Sequence, residues 1–409
     1  MARMPSSAVL FTLLSLAGAA PATSFAAPSH PSPLTSRASV SLGSAVWYGC
    51  TVASYSGPAG LACPVRPYDP RYTTTFTQNF DRATPENEFK MLWTQPKKGQ
   101  FDFRAADGVA ALAASKNKKV RGHALVYPAA NPSWVDKPFF LTPWTRTSLL
   151  NTIRTHINTM VGHFRTQFPG VVTEWDVVNE PFVQSGARDN NVYQRVIGDD
   201  WIEQAFRAAN AADPNALLYL NEFDADTPSA RQRAVYALAG DFVRRGVPID
   251  GVGLEMHVGA DGRYPTLVEL KNVMAQYAAL GLRVSVTELD VLRPIVGDPV
   301  LVQRAAYNTV AQACQESTNC VGVTIWGVAD QYSWRSAPQM ATLLTSNFTK
   351  KRAYDLVRCR LSDPKPLTGA WAPKDCGPVE TVPPSAQAQP TGPTDGSSTG
   401  SNPTPAPGS

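Results

Sequence analysis

The sequence predicts an α/β fold of the (β/α)8 TIM-barrel type, folded as a single catalytic domain. Short apolar, β-branched runs alternate with longer helical patterns along most of the chain, which favours parallel strands joined by right-handed crossovers. Polar residues recur directly after these runs, as they do at the catalytic face of such a barrel. No Gly-x-Gly-x-x-Gly follows the first run, which argues against an open dinucleotide-binding sheet.

Eight runs have the composition of buried strands, and helical patterns separate most of them. The predicted strands are Ala45–Gly49, Arg82–Thr84, Val120–Val126, Val172–Val178, Leu217–Leu220, Gly251–Leu254, Arg283–Val286 and Val321–Ile325. The predicted helices are Gly108–Lys116, Leu149–Phe164, Trp201–Ala212, Ala230–Arg245, Thr266–Leu280 and Pro299–Glu316. Repetition of this unit suits a closed barrel better than an open doubly wound sheet.

The two ends of the chain differ in composition from the middle, where residues 45–377 form the predicted (β/α)8 catalytic domain. Arg3, the apolar residues that follow it and the small residues up to Ala26 predict a signal peptide over residues 1–26. This apolar stretch is too short to span a bilayer, so the protein is expected to be secreted and extracellular. Residues 27–44 predict a loose arm, and the Pro-, Ser- and Thr-rich residues 378–409 predict a disordered tail.

Charge and motif content exclude several kinds of partner. The net charge is +4, and the Lys and Arg residues are scattered along the chain, whereas a nucleic-acid-binding protein shows a dense basic stripe. We therefore expect no nucleic-acid partner. We also expect no membrane partner and no cofactor, and we expect a monomer.

The six cysteines fall into three local clusters, which are Cys50 and Cys63, Cys314 and Cys320, and Cys359 and Cys376. Fifteen pairings are formally possible, and pairing within each cluster is the simplest in an oxidising compartment. Free buried thiols are the alternative. No spacing suggests a zinc site, so no metal is expected. Asn347-Phe348-Thr349 is a candidate glycosylation sequon.

Polar side chains follow the predicted strands, always at the same end. They are Thr84-Pro85-Glu86-Asn87-Glu88, Tyr127, Asn179-Glu180, Asn221-Glu222, Glu255-Met256-His257, Glu288 and Trp326. In a (β/α)8 barrel these strand ends surround the catalytic site. Core packing alone does not explain carboxylates that recur at one end of apolar strands.

Glu180 and Glu288 stand in matched contexts. Glu180 ends Trp175-Asp176-Val177-Val178-Asn179-Glu180, and Glu288 follows Val284-Ser285-Val286-Thr287 three strands later. Hydrolysis of a glycosidic bond needs one protonated and one ionised carboxyl group, and a separation of about 5–5.5 Å gives retention of configuration. Either glutamate alone is better interpreted as a surface carboxylate or an ion-paired one, but the two together predict a retaining glycosidase. Burial and the charge of Glu288 are expected to raise the pKa of Glu180.

The sequence resembles glycoside hydrolase family 10, the endo-β-1,4-xylanase family, from about Trp47 to Arg358. The matching stretches are Thr84-Pro85-Glu86-Asn87 with Lys90, Val120-Arg121-Gly122-His123, Trp175 to Glu180, Asp250 to Leu254, Thr287 to Asp290, and Val323 to Val328 with Ser333-Trp334-Arg335. Six motifs in the order typical of the family form a specific signal.

The resemblance implies a role for each matching residue. Glu180 would be the acid/base and Glu288 the nucleophile. Sugars on the non-reducing side would be held by Glu86, Asn87 and Lys90, while Asn179 would bond the reacting sugar and His257 the nucleophile. Trp326 and Trp334 would form walls of the cleft, because aromatic faces suit the apolar faces of sugar rings. Cys314 and Cys320 resemble a disulfide found in many secreted members.

The chain departs from the family at two places. Where the family usually has Leu-Val-Trp-His-Ser-Gln after its third strand, this chain has Leu125-Val126-Tyr127-Pro128-Ala129-Ala130. Pro128 and Ala130 offer no side-chain hydrogen bond, so Tyr127 borders an altered sugar site. Glu255 stands where the family usually has Gln, and an extra carboxyl group there should raise a neighbouring pKa or itself stay protonated.

Three functional hypotheses follow. The first is a secreted endo-β-1,4-xylanase that acts on plant-type xylan through a glycosyl-enzyme intermediate. The second keeps the retaining mechanism but changes the sugar to another β-glycan or a plant glycoside, as the Tyr127 run suggests. The third is a weakly catalytic carbohydrate-binding or host-interaction protein, against which the intact Glu180 and Glu288 argue. In all three the partner is a polysaccharide or oligosaccharide.

Overall fold

The computed structural model describes residues 40–376 except 56, 64–67, 138–142, 296 and 336. The predicted signal peptide (1–26), residues 27–39 of the predicted arm and the predicted tail (378–409) lie outside the described residues.

Eight parallel strands close into a barrel, which confirms the predicted fold class. The strands are β1 (Ser41–Val46), β2 (Arg82–Pro85), β3 (Lys119–Val126), β4 (Val172–Asn179), β5 (Leu217–Glu222), β6 (Gly251–Leu254), β7 (Arg283–Val291) and β8 (Cys320–Ile325). Each strand pairs with the next in the chain, and β8 pairs with β1, with Gly322 opposite Ser41. A two-residue strand, His257–Val258, extends the pairing beside the end of β7.

A long helix follows every strand. The helices are α1 (Arg71–Asn79), α2 (Arg104–Ser115), α3 (Arg146–Gln167), α4 (Trp201–Ala212), α5 (Ala230–Arg245), α6 (Leu267–Ala279), α7 (Pro299–Glu316) and α8 (Arg352–Leu361). The sequence did not predict α1 and α8. Four threonines within α1 have weak intrinsic helix propensity, so this helix depends on tertiary packing of buried residues such as Tyr72 and Phe76.

The first strand begins earlier than predicted. Its predicted range was Ala45–Gly49, but β1 runs from Ser41 to Val46, so residues 41–44 belong to the barrel and the predicted arm is wrong there. The small, polar residues of this segment are typical of a loop and concealed the strand. Small residues are needed here because the neighbouring strand is close: a Cβ on Gly43 would lie 2.7 Å from Thr324 Oγ1 of β8.

Ion pairs fill the barrel interior between β2, β3 and β4. Trp175 of β4 packs outward, against Phe164 of α3, so its neighbours Glu174 and Asp176 point inward. The fully buried Arg121 of β3 donates to Asp176 Oδ1 at 2.5 Å, and Arg82 of β2 pairs with Glu174. Breaking a buried pair on one side leaves an uncompensated charge, so this layer fixes the register of the strands that carry the site above it.

All six cysteines form disulfides, and the pairing within clusters is confirmed. Cys50–Cys63 closes the loop after β1, Cys314–Cys320 joins the end of α7 to β8, and Cys359–Cys376 anchors the segment after α8. The alternative of free buried thiols is wrong. Within the described part of the chain, no helix has the length and apolar character that crossing a membrane requires.

Candidate active site

The two predicted catalytic glutamates lie at the carboxyl ends of their strands. Glu180 is the first residue after β4, has φ +50°, and donates its backbone N–H to Asn221 O at 3.0 Å. Glu288 lies within β7 and donates its backbone N–H to Glu255 O at 3.1 Å. A positive φ on a non-glycine residue costs of order 1 kcal/mol or more, and such residues cluster at active sites.

Glu180 is held by one donor on each oxygen. The Tyr127 hydroxyl donates to Oε2 at 2.9 Å, and Asn179 Nδ2 donates to Oε1 at 3.2 Å. Burial raises the pKa of Glu180, the charge of Glu288 raises it further, and the Tyr127 hydrogen bond opposes both. The net direction is upward, so Glu180 is the carboxyl suited to carry a proton.

Glu288 is surrounded by donors that favour its ionised form. Asn221 Nδ2 donates to Oε1 at 2.9 Å, His257 Nε2 lies 3.3 Å from Oε2, and His123 Nε2 lies 3.8 Å from Oε1. Burial alone would raise the pKa of Glu288, but the charges of His123 and His257 outweigh burial and hold it below its ordinary value. Glu180 and Glu288 are therefore shifted in opposite directions, as an acid and a nucleophile require.

Asn221 connects the two catalytic residues. Its Nδ2 lies 2.7 Å from Asn179 Oδ1 and 2.9 Å from Glu288 Oε1, while Asn179 donates to Glu180. Thr287 Oγ1 donates to Asn221 Oδ1 at 2.7 Å, which fixes the orientation of the amide. From the sequence, Asn221 was expected at a strand end without a role. The pair Asn221-Glu222 after that strand does not show which side chains meet inside the barrel.

Glu255 is a third carboxyl group beside the nucleophile. Its Oε1 also lies 3.0 Å from Asn221 Nδ2, and it is 1% exposed. Burial, followed by the charges of Glu288 and Glu180, raises the pKa of Glu255 well above its ordinary value. Of the two expectations for this residue, the environment favours the one in which Glu255 itself stays protonated.

His257, to which the family resemblance assigns a bond to the nucleophile, lies with Nε2 3.3 Å from Glu288 Oε2. Its Nδ1 lies 2.9 Å from Asp290 Oδ2, and Trp334 Nε1 donates to the same oxygen at 2.7 Å. Burial lowers the pKa of His257, but Asp290 and then Glu288 raise it to about 10. His257 is therefore an imidazolium at neutral pH. Asp290 is a supporting residue to which the sequence analysis gave no role.

The two predicted cleft tryptophans pack against the histidines of the site. Trp326 meets His123 edge to face, with ring centroids 5.4 Å apart, and Trp334 meets His257 in the same manner at 5.2 Å. The guanidinium of Arg335 lies 4.3 Å from the Trp334 ring centre. These contacts fix the planes of both indoles at the mouth of the barrel.

The residues predicted for the non-reducing side lie in the segment after β2. Lys90 Nζ donates to Asn87 Oδ1 at 3.1 Å and lies 5.5 Å from the Tyr127 ring centre, so this group adjoins the acid/base. Burial raises the pKa of Glu86 to about 8, against the charge of Lys90. Glu88, which we did not assign, accepts the backbone N–H groups of Tyr48 and Asn87 and orders the loop.

Glu255, His257 and Glu288 are the described residues whose spacing could hold a metal ion, with one ligand atom from each within 4.8 Å of the others. A protonated imidazole has no free lone pair for a metal. Its Nε2 lies 3.3 Å from Glu288 Oε2 and 3.6 Å from Glu255 Oε2, so contacts between the imidazolium and the two carboxyl groups explain their close spacing.

Asn347 is exposed in a turn between β8 and α8. Its side chain is therefore accessible, and its glycosylation stays a prediction.

Comparison with known proteins relates this chain to one family. The sequence model described as glycosyl hydrolase family 10 matches residues 51–359. Endo-1,4-beta-xylanase A of Phanerodontia chrysosporium is 36% identical over 295 residues, covering 70% of each chain. An endo-1,4-beta-xylanase of Agaricus bisporus is 34% identical over 284 residues, covering 68% of this chain and 82% of the other.

Solved structures give the same result. The intracellular xylanase of Thermoanaerobacterium saccharolyticum, solved as a mutant with xylotriose, superimposes with a TM-score of 0.70 at 29% identity, covering 78% of this chain and 95% of the other. Xylanase 10B of Thermotoga petrophila, solved with xylobiose, gives a TM-score of 0.70 at 28% identity, covering 79% and 94%.

Proposed function

The chain belongs to glycosyl hydrolase family 10 and is a glycoside hydrolase of the endo-xylanase type, and from this premise we propose that it cleaves β-1,4-xylan by double displacement. Glu180 is the acid/base and Glu288 the nucleophile. The observation that carries the assignment is the opposite pKa direction of two buried carboxyl groups joined through Asn179 and Asn221.

In the first step Glu288 attacks the anomeric carbon while the bond to the leaving sugar breaks. Glu180 transfers its proton to the departing oxygen, and a glycosyl ester of Glu288 forms. The ester is neutral, so the charge that raised the pKa of Glu180 disappears and Glu180 remains ionised.

In the second step Glu180 takes a proton from water, and the resulting hydroxyl group adds to the anomeric carbon. The ester bond breaks, which restores the Glu288 carboxylate and the protonated Glu180. Two displacements at one carbon give net retention of configuration.

Neighbouring residues stabilise charge that changes during these steps. His257 and Asn221 donate to the Glu288 carboxylate before attack. Asn179 contacts Glu180 and Asn221, and we assign it a hydrogen bond to a sugar hydroxyl that strengthens in the oxocarbenium-like transition state. Lys90, Asn87 and Glu86 offer charged and polar groups to the sugars on the non-reducing side.

We also propose that the protein is exported and acts as a monomer on polysaccharide outside the cell. The three disulfides support this location, since such bonds persist in oxidising compartments.

A second candidate function is hydrolysis of a different β-glycan or of a plant glycoside by the same two glutamates. The observation that favours it is the run Pro128–Ala130, which follows Tyr127 beside Lys90 and provides no polar side chain. A sugar with an additional substituent would meet less obstruction there than beside larger polar side chains.

Product analysis on a panel of glycans, with Glu288→Ala as the inactive control, tests both candidates. Release of xylo-oligosaccharides from xylan as the preferred reaction supports the first candidate. Preference for another glycan supports the second. Substantial turnover by Glu288→Ala would refute the nucleophile assignment and with it both functions.

A further inference from the structure

The run Tyr127-Pro128-Ala129-Ala130, in which the chain departs from its family, directs a hydroxyl group at the acid/base. Tyr127 is the first residue after β3 and its hydroxyl lies 2.9 Å from Glu180 Oε2. The ring is 8% exposed, so water does not compete effectively for this hydrogen bond. The departure therefore adds a contact to the catalytic machinery as well as removing side chains from the sugar site.

The residues that follow Tyr127 hold it in this position. A proline disfavours helical backbone in the residue before it, and Tyr127 has extended angles of φ −130° and ψ 105°. Pro128 begins a 3-10 turn in which Ala130 N–H donates to Tyr127 O at 2.9 Å. Ala124, Tyr127 and Ala130 form a small buried cluster, in which the alanines leave room for the ring.

The phenol is a permanent donor in these surroundings. Burial raises the pKa of Tyr127, and negative charge on Glu180, when it ionises, raises it further. Tyr127 therefore keeps its proton over the whole working range of a glycosidase. It does not itself protonate the leaving group, because a phenol with a raised pKa is a poorer acid than the carboxyl group it contacts.

We propose that Tyr127 is a positioning residue for the acid/base: its hydroxyl anchors Glu180 Oε2 and so fixes the orientation in which the carboxyl group gives its proton to the glycosidic oxygen. This inference rests on the proposed roles of Glu180 and Glu288. As Glu180 gives up its proton, negative charge develops on the carboxylate, and a hydrogen bond to a charged acceptor is stronger than one to a neutral acceptor. Tyr127 thus contributes more in the transition state than in the ground state.

The test compares Tyr127→Phe with wild type on two substrates that share one glycone. We expect kcat/KM to fall about ten- to hundredfold on an unactivated xylo-oligosaccharide, the loss expected for one hydrogen bond to a charged group. On a dinitrophenyl glycoside we expect little change, because that leaving group needs no proton. The alkaline limb of kcat/KM should move to higher pH, since Tyr127 lowers the pKa of Glu180.

Tyr354→Phe is the matched control. Tyr354 is also buried, and its hydroxyl donates to Asn79 O at 3.3 Å, between α8 and the end of α1. This variant should retain wild-type leaving-group dependence and pH profile. Should Tyr127→Phe fail to fold, replacement of Tyr127 by 3-fluorotyrosine keeps the ring and makes the hydroxyl a stronger donor, which should move the alkaline limb to lower pH.

An unchanged pH profile, or an equal loss on both substrates, would overturn the positioning role. Failure of the underlying function looks different. In that case wild type would not hydrolyse xylo-oligosaccharides or aryl glycosides, or Glu180→Ala would lose activity equally on both kinds of leaving group.

Discussion

Glu255 and Glu288 share one hydrogen-bond donor: their Oε1 atoms lie 3.0 and 2.9 Å from the same nitrogen, Nδ2 of Asn221. That nitrogen also lies 2.7 Å from Asn179 Oδ1. An amide nitrogen has two hydrogens for these three oxygens. A neutral Glu255 removes the conflict, because it needs no donor and avoids placing a second negative charge beside the nucleophile.

Glu255→Gln is expected to stabilise the protein increasingly as pH rises. The pKa of Glu255 is raised in the folded state, so the folded protein binds a proton that the unfolded chain releases above about pH 4.3. Wild-type stability therefore declines with pH between the unfolded and the folded pKa, by up to about 1.4 kcal/mol per pH unit from this group. Thermal unfolding of both proteins from pH 4 to pH 8 measures the difference in stability between them. A difference in Tm that does not change with pH would contradict a buried, protonated Glu255.

Asp290→Asn should lower the pKa of His257 from about 10 toward the ordinary imidazole value of about 6.5. Asp290 Oδ2 lies 2.9 Å from His257 Nδ1 and accepts a hydrogen bond from Trp334, so its negative charge is held where it stabilises the imidazolium. Without that charge the protonated ring loses its principal partner. An NMR titration of the His257 ring in both proteins measures the shift. An unchanged midpoint would mean that Asp290 is not the group that keeps His257 protonated.

Glu180→Ala should reduce kcat/KM by about a hundredfold or more on substrates with poor leaving groups and far less on activated aryl glycosides, because general acid catalysis helps only the former. Measuring kcat/KM of the variant and of wild type on both substrate classes gives the loss on each class. Azide should restore turnover of the activated substrate, because a small anion can enter in place of the carboxylate and attack the glycosyl ester. Equal losses on both classes would remove Glu180 from the acid role.

Removal of the Cys314–Cys320 disulfide by a double Cys→Ala change should lower the free energy of unfolding by about 2 kcal/mol, the value expected for a short closed loop. The bond joins the end of α7 to the first residue of β8, at the end of the strand opposite the active site, so kcat/KM should stay near wild type. Denaturant unfolding measures the change. Reducing agent should destabilise the double variant less than it destabilises wild type.

The sequence predicted most of the fold, and the roles that it assigned to the site residues stay predictions. Strands β2 to β8 were found because apolar runs end in polar residues at one end, whereas β1 was misplaced because its small residues resemble a loop. Glu180 and Glu288 were proposed from their matched contexts, and the structure brings both to the carboxyl ends of their strands. Asn221 was not assigned because its role depends on which side chains converge across β4, β5 and β7, and no local pattern records that convergence.

The Tyr127 contact was beyond prediction for a related reason. Its sequence context showed only the absence of the usual His and Gln, and a missing group does not indicate what replaces its function. The direction of a phenol from β3 toward a carboxylate after β4 depends on the backbone angles that Pro128 imposes.

The ion pairs inside the barrel have a consequence for engineering. Arg121 bonds Asp176, Asp176 bonds His123 Nδ1 at 3.0 Å, and His123 Nε2 faces the nucleophile. Replacing such buried ion pairs with well-packed apolar residues often stabilises a protein. Here the same exchange would leave His123 without its anionic partner and alter the field at Glu288. Substitutions intended to raise the thermal stability of this enzyme are therefore better made on the outer helices than in the centre of the barrel.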